Sequence, residues 1–320
     1  MTGRGARPDG TVSWRELLAE AEAVLADLPG GALDARRIVE DVAGATGIEL
    51  LDVLDDLVTV RGVARFDALV ARRRTGEPLQ YVLGHWQFRS LDLLVDRRVL
   101  IPRPETEIVA EVALTEVDRV AALRTPVRVA DLGTGSGALA LAIAAERPTT
   151  EVWATDVSDD ALAVARANLA ALGRPATRVR MASGSWFDAL PHDLAGRIDV
   201  IVSNPPYVAE GDEVDPTVAA WEPALALWAG PTGLDALDVV VRGAARWLSD
   251  DGALVVELAP TQARTVADLA RSVGYVDVRV VADLAGRARI VVAHRGPGAG
   301  AVVSTGRSGA EGGADAAAQR

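Results

Sequence analysis

The chain has no cysteine and no lysine. Without thiols there can be neither a disulfide framework nor a thiolate metal site, and the three histidines, His85, His192 and His294, lie too far apart to suggest a metal cluster. No metal is therefore expected. The absence of lysine leaves arginine to carry the positive charge, a skew that coding bias explains better than function. No uninterrupted apolar run approaches the ~20 residues of a membrane span, and the opening MTGRGARPDG lacks the apolar centre of a secretion signal. A cytoplasmic protein with no membrane partner is expected. Positive charge is also in deficit. A formal net charge of −12 disfavours the broad basic face with which proteins grip duplex DNA, so no direct nucleic-acid partner is expected. What the chain has is core material: 49% hydrophobic residues over 320 positions suffice for two globular domains.

Residues 13–28, SWRELLAEAEAVLADL, place Trp14, Leu17, Leu18, Ala21, Val24, Leu25 and Leu28 at helical spacing, and Ser13 with Glu16 can form a capping box. DARRIVEDVAG, ELLDVLDDLV and GVARFDALVARRRTG continue the rhythm with short polar or glycine breaks. These segments predict a small all-helical domain over residues 11–75, behind a flexible N-terminus at 1–10. Past Pro78, LDLLVD and VLIPRPETE read as short strands and a turn, predicting a linker with a β-hairpin over 76–105. From Val127 strand and helix patterns alternate, from VRVADL and ALALAIAAE through IDVIVSN to TQARTVADLARSV, with final strands near 275–281 and 289–294. That alternation predicts an α/β domain over 106–295 with a doubly wound, mostly parallel sheet. From 296 to 320 the chain is Gly/Ala-rich without periodicity, and a disordered tail is expected.

Two stretches carry chemistry. VRVADLGTGSGALALAIA sets Asp131, Gly133, Gly135 and Gly137 between a predicted strand and helix, and Gly133, Gly135 and Ala138 fit a loose G-x-G-x-x-G/A fingerprint. Asp156 ends the next strand about 20 residues on, where an acid can accept hydrogen bonds from both hydroxyls of a ribose. The pair points to an adenosine-type cofactor and leaves NAD and S-adenosylmethionine open. The second stretch, VIVSNPPYVA (residues 200–209), separates them. In a doubly wound sheet ligands sit beyond the carboxyl ends of the strands, so Asn204 converges on the same crevice as the glycines and Asp156. Residues before proline are held extended and prolines have no N–H, so Asn204 Oδ1 and the Pro205 carbonyl can together accept the two hydrogens of an –NH₂ group, with Tyr207 as a flat wall. Such a corner suits methyl transfer to a planar amide or amine nitrogen. That nitrogen is a poor nucleophile which gains positive charge as it reacts, and fixed acceptors around its hydrogens stabilise the transition state without a general base.

With these residues assembled, the chain resembles the PrmC/HemK family, methyltransferases of glutamine in peptide-chain release factors. Besides DLGTGSG and NPPY, the resemblance includes RRRTGEPLQYVLGHWQF (72–88), VLIPRPETE (99–107), SWFDAL (185–190) and EPALAL (222–227). NPPY alone is shared with DNA adenine methyltransferases; EPLQY and IPRPETE make the match specific. The resemblance implies a Rossmann-like class I S-adenosylmethionine-dependent methyltransferase domain, with a seven-stranded sheet whose last strand is antiparallel. It implies cofactor contacts from Gly133, Thr134, Gly135, Ser136, Gly137, Asp156, Trp186 and Asn204. The substrate glutamine would meet Asn204, Pro205, Pro206 and Tyr207, with Phe88 and the IPRPETE loop closing over the reacting groups, and Asn204, Pro205 and Tyr207 would form the catalytic corner. The implied reaction is methylation of the side-chain amide nitrogen (N5) of the glutamine in the GGQ motif of class 1 release factors, which would be the protein partner. A glutamine of a ribosomal protein is the nearer alternative, and adenine-N6 methylation of nucleic acid the more distant one. Glu105 and Glu107 read as acids at a helix N-terminus rather than catalytic groups. Thr232 stands where the family usually has Asp, and Ala259 where it usually has Gly, both away from the expected chemistry.

Overall fold

The computed structural model describes residues 11–296. The flexible N-terminus expected at 1–10 and, apart from Gly296, the tail expected at 296–320 lie outside the described residues.

The chain opens with four helices, α1 (Trp14–Val24), α2 (Gly31–Ala43), α3 (Ile48–Val53) and α4 (Val60–Arg74). The capping box forms as the sequence suggests: the Ser13 amide donates to Glu16 Oε2 at 2.8 Å while the Glu16 amide donates to Ser13 Oγ at 3.4 Å. Trp14, Leu17, Ala21 and Leu25 meet Ile38, Val39, Leu50 and Phe66 in one core. A fifth short helix, α5 (Leu79–Leu83), adds Leu79 and Val82 to that core, so the helical unit reaches past the expected boundary at 75. Five residues between Pro78 and Gly84 are too few to show a period. Arg72 fixes α5 by donating from Nε to Glu77 (2.9 Å) and from its terminal nitrogens to the carbonyls of Tyr81 (2.8 Å) and Val82 (3.0 Å).

A hairpin does follow within the expected linker, but LDLL pairs with a strand before it rather than after: β1 (His85–Phe88), not read as a strand in the sequence, lies antiparallel to β2 (Leu91–Leu94). VLIPRPETE contains no strand. Pro102 and Pro104 cannot donate to a sheet, and Pro104 instead opens α6 (Pro104–Ala121) at a position where a missing N–H costs nothing. The α/β alternation thus begins one element earlier than Val127.

Seven strands form the main sheet: β3 (Val127–Leu132), β4 (Thr150–Asp156), β5 (Val179–Ser183), β6 (Ile198–Ser203), β7 (Leu248–Glu257), β8 (Tyr275–Ala282) and β9 (Ala288–Arg295). Between them run α7 (Ala138–Glu146), α8 (Asp159–Ala171), α9 (Pro216–Trp221), α10 (Asp235–Trp247) and α11 (Ala263–Val273). The order is β5-β4-β3-β6-β7-β9-β8, with only β9 antiparallel to its neighbours. Side chains alternate across the sheet: Val129, Val200 and Val202 join the core beneath α6 and α7, while Ala130, Leu132 and Ile201 join the core beneath α10 and α11. β3 has β4 on one side and β6 on the other, so the chain leaves its carboxyl end in opposite directions and a crevice opens there. Among the described residues no helix is long and apolar enough to cross a membrane.

Candidate active site

The crevice is a cleft of about 400 Å³ at the carboxyl ends of β3, β4, β5 and β6. Its floor is the loop that carries the chain from β3 into α7. Gly135 holds φ at +56° and Gly137 at +87°, a region that side chains with a Cβ avoid. At Gly135 a Cβ would meet nothing within 4 Å, so the backbone lies open to a ligand, whereas at Gly137 it would press within 3.0 Å of Leu141. Asp156, at the end of β4, braces this loop: its Oδ2 accepts from the Gly135 amide and its Oδ1 from the Ser158 amide, each at 2.9 Å. Each oxygen retains a lone pair for a ligand hydroxyl. Trp186 follows β5 in a left-handed conformation (φ +48°) and stands over Gly133, 3.6 Å from where a Cβ there would lie.

Asp131 lies under the loop, 1% exposed. Its Oδ2 accepts from Thr134 Oγ1 (2.6 Å) and the Ala140 amide (3.1 Å), while Oδ1 has no protein partner among the described residues. Burial, against the pull of those two donors and with help from the Asp156 charge, pushes its carboxyl up to about 7. An unpaired buried acceptor lining a cleft suits a cationic ligand group, which both hydrogen-bonds it and favours its charged form. The residues present therefore fit S-adenosylmethionine: an acid for ribose hydroxyls, an open glycine backbone, an aromatic flank and a buried carboxyl for a positive charge.

The opposite wall is the corner that ends β6. Ser203 Oγ donates to the Leu132 carbonyl at 2.6 Å, tying the ends of β6 and β3 together. Asn204, half-buried, donates from Nδ2 to Thr106 Oγ1 at 3.2 Å, and Thr106 donates in turn to Glu257 Oε2 at 2.8 Å. The other oxygen of Glu257 accepts from the Tyr207 hydroxyl at 3.3 Å. Gln262 holds the Tyr207 carbonyl at 2.9 Å and that of Gly233 at 3.0 Å. Glu257 is 1% exposed. Burial pushes it up to about 7 against the opposing influence of Thr106, Arg289 and Tyr207. Tyr207 is pushed up to about 12 by burial and the Glu257 charge, so it stays a neutral donor.

The structure brings Gly133, Thr134, Gly135, Ser136, Asp156, Trp186, Asn204 and Pro206 to the cleft. Gly137 sits one step behind, at the start of α7, and Pro205 is buried. Tyr207 does not line the cleft: its ring packs on the core beneath α10 and α11 and its hydroxyl is turned to Glu257. Phe88, expected to close over the reacting groups, does not reach the cleft. It is the inward residue of the hairpin, 1% exposed in the core with Leu93 and Val109, and takes no part in the cleft wall. Glu105 pairs with Arg287 at 2.9 Å and Glu107 accepts from the Arg89 amide at 3.0 Å, both in the first turn of α6 and outside the cleft. Thr106 between them, Asp131 as a ligand contact, and Glu257 were missing from the expected site. The IPRPETE segment does form one wall, through Pro102 and Thr106, and EPALAL faces it through Pro223 and Leu225. Glu222 clasps the two, accepting from the Ile101 amide at 3.1 Å and pairing with Arg103.

A mostly parallel seven-stranded sheet, with a glycine loop, an acid at the end of β4 and an NPPY corner around one cleft, defines the class as a methyltransferase. The methyltransferase small domain family model matches residues 115–221, and the PrmC N-terminal domain model matches residues 16–84, the latter ending just past α5. Release factor glutamine methyltransferases of Cereibacter sphaeroides, Moorella thermoacetica and Deinococcus radiodurans are 40%, 39% and 40% identical to it over 84%, 88% and 89% of this chain and 93%, 98% and 99% of theirs. The chain belongs to the release factor glutamine methyltransferase family. In fold alone it is similar to the hMettl16 catalytic domain solved with the MAT2A 3'UTR hairpin 6, at a TM-score of 0.52 and 15% identity over 85% of this chain and 94% of that one.

Proposed function

We propose that this chain methylates the side-chain amide nitrogen (N5) of the glutamine in the GGQ motif of class 1 peptide-chain release factors, using S-adenosylmethionine. The observation that carries the reading is one cleft bounded by Asp131, Gly133–Ser136 and Asp156 on one side and by Asn204 on the other. When bound, the cofactor supplies a methyl group made electrophilic by a sulfonium. Asp156 accepts from its ribose hydroxyls, Asp131 Oδ1 accepts from or faces its positive charge, and the glycine backbone lets it lie close. Asn204 Oδ1 and the Pro205 carbonyl accept the two hydrogens of the substrate amide and orient its weak nitrogen. They also stabilise the positive charge that nitrogen gains, after which its proton leaves to solvent. The names of the relatives support a release factor as the substrate over a ribosomal protein or a nucleic acid. The test is to incubate the protein with methyl-labelled S-adenosylmethionine and, separately, a release factor, its GGA variant, ribosomal proteins and DNA. Label should enter the release factor alone and be lost in the GGA variant. Label in ribosomal proteins or DNA with none in the release factor would overturn the reading.

A further inference from the structure

We propose that Thr106 and Glu257 are positioning residues, a one-way hydrogen-bond relay that holds the Asn204 carboxamide with its oxygen, not its nitrogen, available to the substrate amide. The inference rests on the reading of the NPPY corner given above. The relay starts at a carboxylate buried at the end of β7, whose Oε2 lies 2.8 Å from Thr106 Oγ1. An ionised carboxylate can only accept, so the Thr106 hydroxyl must direct its single hydrogen to Glu257. It then has only lone pairs to offer its other neighbour, 3.2 Å away, and that neighbour must be an N–H. The Asn204 nitrogen is thereby assigned to Thr106, and Oδ1 is the end left for a ligand. Were the hydroxyl hydrogen free to turn, the flipped carboxamide would be held equally well, presenting a donor to the hydrogens of the substrate amide and repelling them. The polarity of the corner therefore depends on an acid that never touches the substrate.

The charged and titratable groups facing Glu257 are Arg289 from β9, Glu105 from α6 and the Tyr207 hydroxyl from the corner itself. None replaces its link to Thr106. Because burial raises this carboxyl to about 7, acidification puts a proton on Glu257, which can then donate to Thr106 and release the hydroxyl hydrogen toward Asn204. Turnover should accordingly fall on the acid side of neutrality.

The experiment uses the full chain with labelled S-adenosylmethionine and a release factor, comparing Thr106→Val, Thr106→Ser, Glu257→Gln, the Thr106→Val/Glu257→Gln double variant and Asn204→Ala. Thr106→Val and Glu257→Gln should each lower kcat about 10- to 100-fold, with cofactor Kd by calorimetry and release-factor KM held within about 2-fold, the pattern of a lost transition-state interaction. Thr106→Ser keeps the hydroxyl and should keep kcat within about 3-fold. The double variant should be little worse than either single one, since both break the same relay. With cofactor saturating, so that its positive charge holds Asp131 ionised, the acid-side fall in kcat should vanish in Glu257→Gln, whose side chain does not titrate. Wild-type kcat in Thr106→Val or Glu257→Gln beside an inactive Asn204→Ala overturns the relay alone; wild-type kcat in Asn204→Ala overturns the reading of the corner. Loss of cofactor affinity in step with kcat, or equal damage from Val and Ser at 106, overturns the relay in favour of a merely structural role.

Discussion

At the residue scale, the corner after β6 shows why asparagine and aspartate are not exchangeable there. Asn204 uses one end of its carboxamide on Thr106, and the other has no hydrogen-bond partner among the described residues. Asn204→Asp would keep size and acceptor but remove the donor. The Thr106 hydrogen is already committed to Glu257, so the new carboxylate would set lone pairs against lone pairs and bring a second negative charge near a buried one. That charge would attract a cationic cofactor and a nitrogen turning positive, but orientation is what a delocalised amide nitrogen lacks. Asn204→Asp is therefore expected to lower kcat as far as Asn204→Ala, about 10²–10³-fold if the group acts like one oxyanion-hole donor. Single-turnover rates with saturating cofactor measure this, and near-wild-type turnover by the Asp variant would show that charge, not orientation, governs the corner. Asn204 and Asp156 were legible because each has a local signature, a pair of prolines or a strand end about 20 residues past a glycine loop. Thr106 and Glu257 were not: they meet across 151 residues, and a contact of that separation leaves no spacing to read. Phe88 misled because an aromatic beside a recognised motif looks the same in sequence whether it faces a ligand or a core.

Among the elements, strands and long helices were read well and short or proline-led ones poorly. β6 is buried along its whole length, and such a strand shows as a β-branched run, here IDVIVS, whatever surrounds it. α5 is too short to show a period, and α6 begins at the second proline of PRP, where the eye expects a turn. The loop between β3 and α7 offers a test of why its glycines differ. Gly135 and Gly137 share a left-handed backbone, which costs an alanine roughly 1–2 kcal/mol. Only at Gly137 would the new methyl also press on Leu141, at 3.0 Å. Gly137→Ala should therefore lower Tm by more than Gly135→Ala, the difference being a few degrees for each further kcal/mol in a chain of this size. Gly135→Ala, whose methyl would meet no protein atom within 4 Å at a residue lining the cleft, should instead show the larger loss of cofactor affinity. Thermal melts without cofactor and calorimetry with it separate the two effects, and equal melting temperatures would mean Leu141 yields freely.

For the whole molecule, the question is how the helical unit is joined to the methyltransferase domain. The joint is α5, which belongs to both. Leu79 and Val82 pack into the helical core, while Tyr81, 2% exposed, sits with Val95, Val99 and Ile101 against α8, and its hydroxyl donates to the Val99 carbonyl. Val99 borders the cleft, so a helix counted with the N-terminal unit supports a wall of the site. His85 adds a second tie, bonded to Asp41 of α2 at 2.9 Å and to Asp92 of β2 at 2.7 Å. We propose that the helical unit, expected over 11–75 and extended to 83 by α5, recognises the protein substrate, and that two truncations separate recognition from support. A chain beginning at Thr75 loses the Arg72 clasp and the helical core behind Leu79 and Val82 but keeps Tyr81 with its packing against α8 and its bond to Val99; it should still bind cofactor, within about 10-fold, but should methylate release factor poorly, because binding energy far from the glutamine no longer holds it at the corner. A chain beginning at His85 loses Tyr81 as well, leaves the Val99 carbonyl unpaired and a hole against α8, and should lose cofactor affinity too. Calorimetry and labelled turnover on both chains give the comparison. Full release-factor turnover in the chain beginning at Thr75 would reduce the helical unit to a structural role, and unchanged cofactor affinity in the chain beginning at His85 would show that Tyr81 supports nothing the cofactor feels.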